Sequence, residues 1–81
     1  MVTSQDIQQW ISAGIAGAEV QVLGDDGQHF EAVVVAQAFA GKGQVARHQL
    51  VYRALGNRML TGEIHALSLK TLTPAEHAQG G

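Results

Sequence analysis

The segment from His29 to Ala36 places the strongest limit on how this chain can fold. After its first residues it is almost wholly apolar, as strands are when they are central in a sheet or covered on both faces. The preceding residues 19–24 alternate between polar and apolar side chains, which predicts another strand. The link Gly24-Asp25-Asp26-Gly27 is rich in turn-forming residues, so residues 19–24 and 28–36 are predicted to form a hairpin.

Helical patterns flank this hairpin on both sides. The first helix is predicted over residues 4–16, with Thr3 or Ser4 as its N-cap. Its apolar stripe is formed by isoleucines at intervals of four residues: Ile7, Ile11 and Ile15. The longest helix is predicted over residues 44–60. Its apolar face is formed by Val51, Leu55 and Met59.

The second half of the chain adds a third strand and a capped helix. Residues 39–43 are predicted to be a glycine-rich break before the long helix. Residues 63–72 predict the third strand, and Thr73-Pro74-Ala75-Glu76 is a capping box that starts a short final helix. Because a helix separates the second and third strands, a right-handed parallel crossover is expected between them. The predicted fold is α+β: a single domain over residues 1–81, with a mixed three-stranded sheet and helices packed on one face.

The composition excludes several kinds of chemistry. The 81 residues include four histidines and no cysteine, which excludes disulfides, thiolate metal sites and a cysteine nucleophile. There is no nucleophile–base motif and no phosphate-binding glycine fingerprint, and the adjacent Asp25 and Asp26 are interpreted as turn formers, so an enzyme is not predicted. The N-terminus lacks the features of a secretory signal, and no apolar run is long enough to span a membrane, which favours a cytoplasmic protein.

Charge is unevenly distributed along the chain, although the net charge is only −2. The first 41 residues carry five acidic residues and no Lys or Arg, whereas residues 42–81 carry five basic and two acidic residues. Arg47 and Arg58 lie about three turns apart in the predicted helix and are expected to project from nearly the same side. The asymmetry is typical either of an ordinary solvated helix face or of a surface that binds a polyanion.

The histidines could supply metal ligands, but their spacing does not form a complete site. His29 and His65 stand at the starts of the second and third predicted strands, and they could approach each other if these strands share an end. No pair has the i, i+4 spacing of helical metal motifs, and His48 and His77 lie in predicted helices. Two imidazoles are too few to complete a metal site, so ligands from another molecule would be needed.

Motifs in a fixed order make the chain similar to a known family. They are His29-Phe30-Glu31-Ala32-Val33-Val34-Val35, Phe39-Ala40-Gly41-Lys42, Arg47-His48-Gln49-Leu50-Val51-Tyr52-Arg53-Ala54-Leu55 and Ile64-His65-Ala66-Leu67-Ser68-Leu69-Lys70-Thr71-Leu72-Thr73-Pro74-Ala75-Glu76. Together they resemble the BolA-like family, and the short turn from Gly24 to Gly27 is most similar to its compact IbaG-type branch. The resemblance covers nearly the whole chain. It implies a class II KH-like fold with the order helix–strand–strand–helix–helix–strand–helix.

The resemblance also implies a partner and a cofactor. Proteins of this family bind monothiol glutaredoxins and share a bridged [2Fe-2S] cluster, to which the glutaredoxin and glutathione supply sulfur and the BolA-like chain supplies nitrogen. The family's ligand histidine matches His65. The family's second ligand lies in the loop between the first two strands. That loop holds no His or Cys here, so His29 at its end is the only candidate.

The function implied by the resemblance is a non-enzymatic adaptor in iron–sulfur cluster trafficking or sensing. Such a chain would be a monomer alone and a heterodimer with its glutaredoxin, and it would hold no stable cluster by itself. Lys42, Arg47 and Arg58 would orient the partner. A histidine ligand should also make the cluster more labile and raise its reduction potential above that of an all-thiolate cluster.

Two alternatives stay open at this point. The family has also been described as DNA-binding and active in transcription regulation, in which case Lys42, Arg47, Arg53 and Arg58 would contact nucleic acid. KH domains hold nucleic acid with a GXXG loop, whereas the corresponding residues here are Gly41-Lys42-Gly43-Gln44 and cations are few. The last hypothesis is an interaction domain that binds no metal.

Overall fold

The computed structural model describes residues 2–24, 26, 28–62, 64 and 66–80. Its elements follow the chain in this order: α1 (Ser4–Gly14), β1 (Glu19–Leu23), β2 (His29–Val35), a 3-10 helix (Gln37–Phe39), α2 (Gln44–Leu55), β3 (Ala66–Leu72) and α3 (Pro74–Ala78). With the 3-10 helix as the fourth element, this is the order that the BolA-like resemblance implies. The predicted α+β class is confirmed.

One mixed sheet with the strand order β1-β2-β3 forms the centre of the fold. β1 and β2 are antiparallel. β2 and β3 are parallel, with His29 level with Ala66 and Val35 level with Leu72. The apolar segment that begins at His29 is therefore the central strand, and the connection through α2 joins two parallel strands, as predicted.

The core lies between one face of the sheet and the helices α1 and α2. β2 contributes alternate residues to it: Phe30, Ala32 and Val34. α1 and the residue that follows it contribute the isoleucine stripe, and α2 contributes part of its predicted apolar face: Ile7, Ile11, Ile15, Val51 and Leu55. Gly14 lets the two helices meet closely, because a Cβ at this position would overlap the Cβ of Ala54. The intervening residues of β2, such as His29 and Glu31, belong to the opposite, exposed face.

Both long helices are shorter than the sequence predicts. α1 ends at Gly14 rather than at residue 16, because Ile15 has extended dihedral angles (φ −129°, ψ 105°). α2 ends at Leu55 rather than at residue 60, because Gly56 adopts φ +68°, a left-handed conformation that favours glycine and stops helices. Residues 56–62 form turns, so the expectation that Arg58 lies on this helix is wrong.

The third strand also begins later than predicted. The prediction placed its start at Glu63, whereas β3 begins at Ala66. Ile64 lies in a bend and is buried in the core. Glu63 and His65 lie outside the described residues.

Capping boxes start two of the helices. At α1, the Thr3 hydroxyl accepts from the Asp6 N–H and the Asp6 carboxylate accepts from the Thr3 N–H. Thr73 and Glu76 form the same reciprocal pair at α3, as the sequence predicts. Within the described ranges, none of the helices combines the length and apolarity needed to cross a membrane.

Candidate metal centre

The candidate site lies where β2 and β3 begin. His29 is the first residue of β2 and is level with Ala66, the first residue of β3. The Ala66 N–H donates to the Gln28 carbonyl at 3.0 Å, which ties the turn before β2 to the start of β3. The two strands therefore begin at the same end of the sheet, which is the arrangement that a shared histidine site would require. His65, which precedes Ala66 in the sequence, lies outside the described residues.

Asp26 holds the turn before β2 and also contacts the His29 ring. Its Oδ1 accepts from the backbone N–H groups of His29 at 2.8 Å and Gln28 at 2.9 Å. Its Oδ2 lies 2.9 Å from Nδ1 of the His29 imidazole. The hydrogen bond from the His29 backbone and then that from its ring hold the pKa of the Asp26 carboxyl well below its usual range, because both favour the charged form. Asp26 is thus a turn former, as predicted, whereas Asp25 lies outside the described residues.

The imidazole of His29 is exposed beside a shallow hollow in the sheet surface. The side chain of His29 is 70% exposed, and that of Asp26 is 52% exposed. The hollow has a volume of about 360 Å³, and its lining includes residues from all three strands, among them Leu23, Glu31 and Ser68. An exposed imidazole with one ring nitrogen against a carboxylate can offer its other nitrogen to a metal ion.

Gly24 allows the turn to lie close to the start of β2. A Cβ at this position would lie 2.6 Å from both the His29 carbonyl oxygen and the Phe30 ring. A larger residue would push the turn away from β2 and displace Asp26 relative to His29. The glycine that the sequence marks as turn-forming therefore also positions the candidate site.

The donor set fits one ligand of a shared cluster rather than a complete metal site. Across the part of the chain that the structure describes, no group of three or more His, Cys, Asp or Glu side chains could hold a metal ion. His77 lies at the opposite end of the sheet, beside Glu19 and Val35, and His48 is half-buried on α2. Iron–sulfur clusters need several ligands, most of them thiolates, so a cluster at His29 would depend on ligands from a second molecule.

Comparison with known proteins identifies the family. The family model described as BolA-like protein matches residues 11–76. The chain belongs to the BolA-like family. This BolA-like protein is 37% identical over 76 residues to the acid stress protein IbaG of Escherichia coli K12, a match that covers 94% of this chain and 89% of that protein.

Solved BolA structures share the fold of this BolA-like protein. The bolA protein homologue from Coxiella burnetii matches with a TM-score of 0.86 and 52% identity, over 96% of this chain and 99% of that one. The BolA domain of SufE1 from Arabidopsis thaliana matches with a TM-score of 0.70 and 33% identity, over 90% of this chain and 93% of that one. In the full SufE-like protein 1 of that plant, the similar stretch is 54 residues long, 48% identical, and covers 65% of this chain but only 14% of that protein. A BolA-like unit therefore also occurs within a much longer protein.

The basic residues that the sequence assigned to a partner surface differ in exposure. Lys42 and Arg53 are exposed. Arg47 is only 6% exposed, because its guanidinium donates inside the protein to the Thr71 carbonyl and the Glu76 carboxylate. The expected projection of Arg47 from the surface of α2 is therefore wrong, and its guanidinium is not presented to a partner.

Arg58 is also used within the fold of this BolA-like protein. Its guanidinium donates to the Leu55 carbonyl at 2.8 Å, at the end of α2, and lies over the Trp10 ring of α1 at 3.9 Å from the ring centroid. Arg58 and Arg47 are two of the four cations that the nucleic-acid hypothesis requires. With both engaged internally, no observation on the described residues favours that hypothesis.

Proposed function

We propose that this BolA-like protein is a non-enzymatic adaptor in iron–sulfur cluster trafficking or sensing. It binds a monothiol glutaredoxin and shares a bridged [2Fe-2S] cluster with it, to which the chain contributes imidazole nitrogen. The observation that carries the proposal is the exposed His29, held by Asp26 at the sheet end where β3 also begins. In the sequence, the other candidate ligand, His65, directly precedes the first residue of that strand.

The chemistry of the chain makes a second protein necessary. Because the chain has no cysteine, every thiolate of a shared cluster comes from the glutaredoxin and its glutathione. His65 and His29 can replace thiolates at part of the cluster, and replacement of Cys by His raises its reduction potential. Such a cluster suits transfer or sensing better than storage. The presence of a BolA-like unit within a longer plant protein supports a unit that works beside another domain.

The proposal is tested by mixing the chain with a monothiol glutaredoxin that already carries its [2Fe-2S] cluster. Visible absorption and circular dichroism then report whether the ligands of the cluster change. We expect a spectrum distinct from that of the glutaredoxin alone. The new spectrum should be lost in His65→Ala and weakened in His29→Ala. The matched control is His77→Ala, which removes a histidine at the opposite end of the sheet and should leave the spectrum of the mixture unaltered.

Two results would contradict the proposal. A spectrum that stays that of the glutaredoxin alone at every mixing ratio would show that no shared cluster forms. A new spectrum that survives both His65→Ala and His29→Ala would show that imidazole does not ligate it. Size-exclusion chromatography of the same mixtures shows whether the two proteins associate when the cluster is absent.

A further inference from the structure

We propose that Asp26 is a positioning residue for His29, which fixes the imidazole in the Nδ1–H tautomer and leaves Nε2 as the nitrogen that binds a metal. The inference deepens the proposed function and rests on it only in taking the metal to be the iron of a shared [2Fe-2S] cluster. The tautomer itself is a property of the chain alone, and it can be measured without any partner.

The backbone of the turn holds the Asp26 carboxylate in place independently of the His29 imidazole. Oδ1 of Asp26 is occupied by the two backbone N–H groups of Gln28 and His29, at 2.9 and 2.8 Å. Both groups belong to the residues that lead into β2, and the Gln28 carbonyl is bonded to the Ala66 N–H of β3. The position of Oδ2 is therefore set by the backbone at the sheet end, and Oδ2 lies 2.9 Å from Nδ1 of His29.

The direction of this hydrogen bond follows from the chemistry of the two groups. An ionised aspartate carboxylate has acceptor oxygens only. Nδ1 of His29 must then carry the hydrogen. In a neutral imidazole the lone pair is left on Nε2, and histidines that bind metals commonly donate their other N–H to a carboxylate in this way.

The free nitrogen is also accessible. The His29 side chain is 70% exposed and borders the hollow between β1, β2 and β3. Within the described residues, the hydrogen bond to Asp26 is the only one made by the His29 ring. Nε2 can therefore be reached by a group presented by a second protein.

The test is a long-range ¹H–¹⁵N NMR spectrum of the histidine rings of the chain alone, recorded at a pH at which the ring signals are those of neutral imidazole. We expect Nδ1 of His29 to be the protonated nitrogen in the wild type. Asp26→Asn keeps an oxygen for the two backbone N–H groups but places an NH2 donor against Nδ1. This variant should move the proton to Nε2 and exchange the signals of the two ring nitrogens.

Two further variants separate this effect from a loss of charge or of the turn. Glu31→Gln removes the same charge two residues from His29 on the same face of the sheet and should leave the tautomer unaltered. Asp26→Ser keeps a side-chain oxygen that can cap the turn but has no carboxylate for Nδ1, so the preference for Nδ1–H should be lost. Backbone amide spectra check that each variant retains the fold.

The outcomes distinguish this inference from the proposed function. A wild-type spectrum with the proton on Nε2, or an unchanged tautomer in both Asp26 variants, would overturn the role of Asp26. If the tautomer switches as expected, the same variants are mixed with the cluster-loaded glutaredoxin, and Asp26→Asn should weaken the new spectrum as His29→Ala does. A tautomer switch without any shared cluster would support the role of Asp26 and overturn the proposed function.

Discussion

The two ends of the sheet each carry a pair formed by an acidic and a basic side chain. Where β3 ends, Nη1 of Arg47 lies 2.7 Å from Oε1 of Glu76. Where β2 begins, Nδ1 of His29 lies 2.9 Å from Oδ2 of Asp26. The contact distances are nearly equal, but the Arg47 side chain is 7% exposed and the His29 side chain is 70% exposed. The role of such a pair therefore depends on the burial of its basic side chain and on whether a polar atom remains available to another molecule, rather than on the contact itself.

Arg47 uses its guanidinium to join three segments of the fold. Nε donates to the Lys42 carbonyl before α2, Nη1 to the Thr71 carbonyl of β3, and both terminal nitrogens to the Glu76 carboxylate of α3. The neighbouring Thr71 hydroxyl donates to the Gln44 side chain at 2.8 Å. Among the described residues, no buried side-chain nitrogen or oxygen lacks a partner. This end of the sheet is closed, whereas the His29 ring keeps one nitrogen for another molecule.

The largest effect should come from Arg47→Met. The substitution keeps the length of an apolar stem but removes every hydrogen bond of the guanidinium, and it leaves the buried Thr71 carbonyl without that donor. Removal of one partner from a fully buried pair is strongly destabilising; here Arg47 is buried and Glu76 is 45% exposed, so we expect a smaller loss, with a fall in melting temperature of roughly 10 °C. Thermal unfolding followed by far-UV circular dichroism measures the change.

The matched control for this variant is Arg53→Met on the same helix. Arg53 is exposed, and surface substitutions of this kind usually have small effects, so its melting temperature should change by less than about 2 °C. Equal losses in the two variants would show that burial does not distinguish Arg47, and the contrast between the two ends of the sheet would fail.

A smaller effect, which depends on pH, is expected from Glu76→Gln. The hydrogen bond from the Arg47 guanidinium, followed by that from the Thr73 N–H, lowers the pKa of Glu76 from 4.5 to about 2. Because the folded-state pKa lies below the unfolded one, the charged carboxylate stabilises the fold fully above pH 4.5, and this contribution is lost as the pH falls towards about 2. Glutamine preserves the capping box but carries no charge.

The measurement is thermal unfolding of the wild type and Glu76→Gln at a series of pH values. At neutral pH the variant should be less stable, with a melting temperature several degrees lower, and the difference should shrink as the pH falls below 4.5. Glu31→Gln, at an exposed position on the sheet, is the control and should show little difference at any pH. A Glu76→Gln deficit that is independent of pH would mean that the charge of Glu76 does not stabilise the fold.

The sequence predicted most reliably those features that depend on local periodicity. The isoleucine stripe at Ile7, Ile11 and Ile15 is buried, and the apolar segment from His29 is the central strand. The end of α2 was missed because the apolar pattern continues to Met59, whereas the positive φ of Gly56 stops the helix. A glycine inside a periodic segment gives only a weak signal for such a stop.

The two side-chain pairs differ in how far they could be predicted. Glu76 was recognised as a capping residue, but Arg47 lies 29 residues away along the chain, and no local pattern links such distant residues. The contact between Asp26 and His29 spans only three residues. It could have been predicted from the sequence, since Asp side chains in turns commonly accept hydrogen bonds from the residues that follow. The sequence identified His29 as a candidate ligand but missed the residue that orients it.

The smallest effect on stability should come from His29→Ala. This prediction tests whether the pair at the start of β2 contributes little to the stability of the fold. The side chain is largely exposed, and its loss leaves both backbone hydrogen bonds of Asp26 and the link between Gln28 and Ala66 intact. The melting temperature should therefore stay within about 2 °C of the wild type, although the spectrum of the shared cluster changes. A loss of stability comparable to that of Arg47→Met would show that His29 is a structural residue, and the two ends of the sheet would then have the same role.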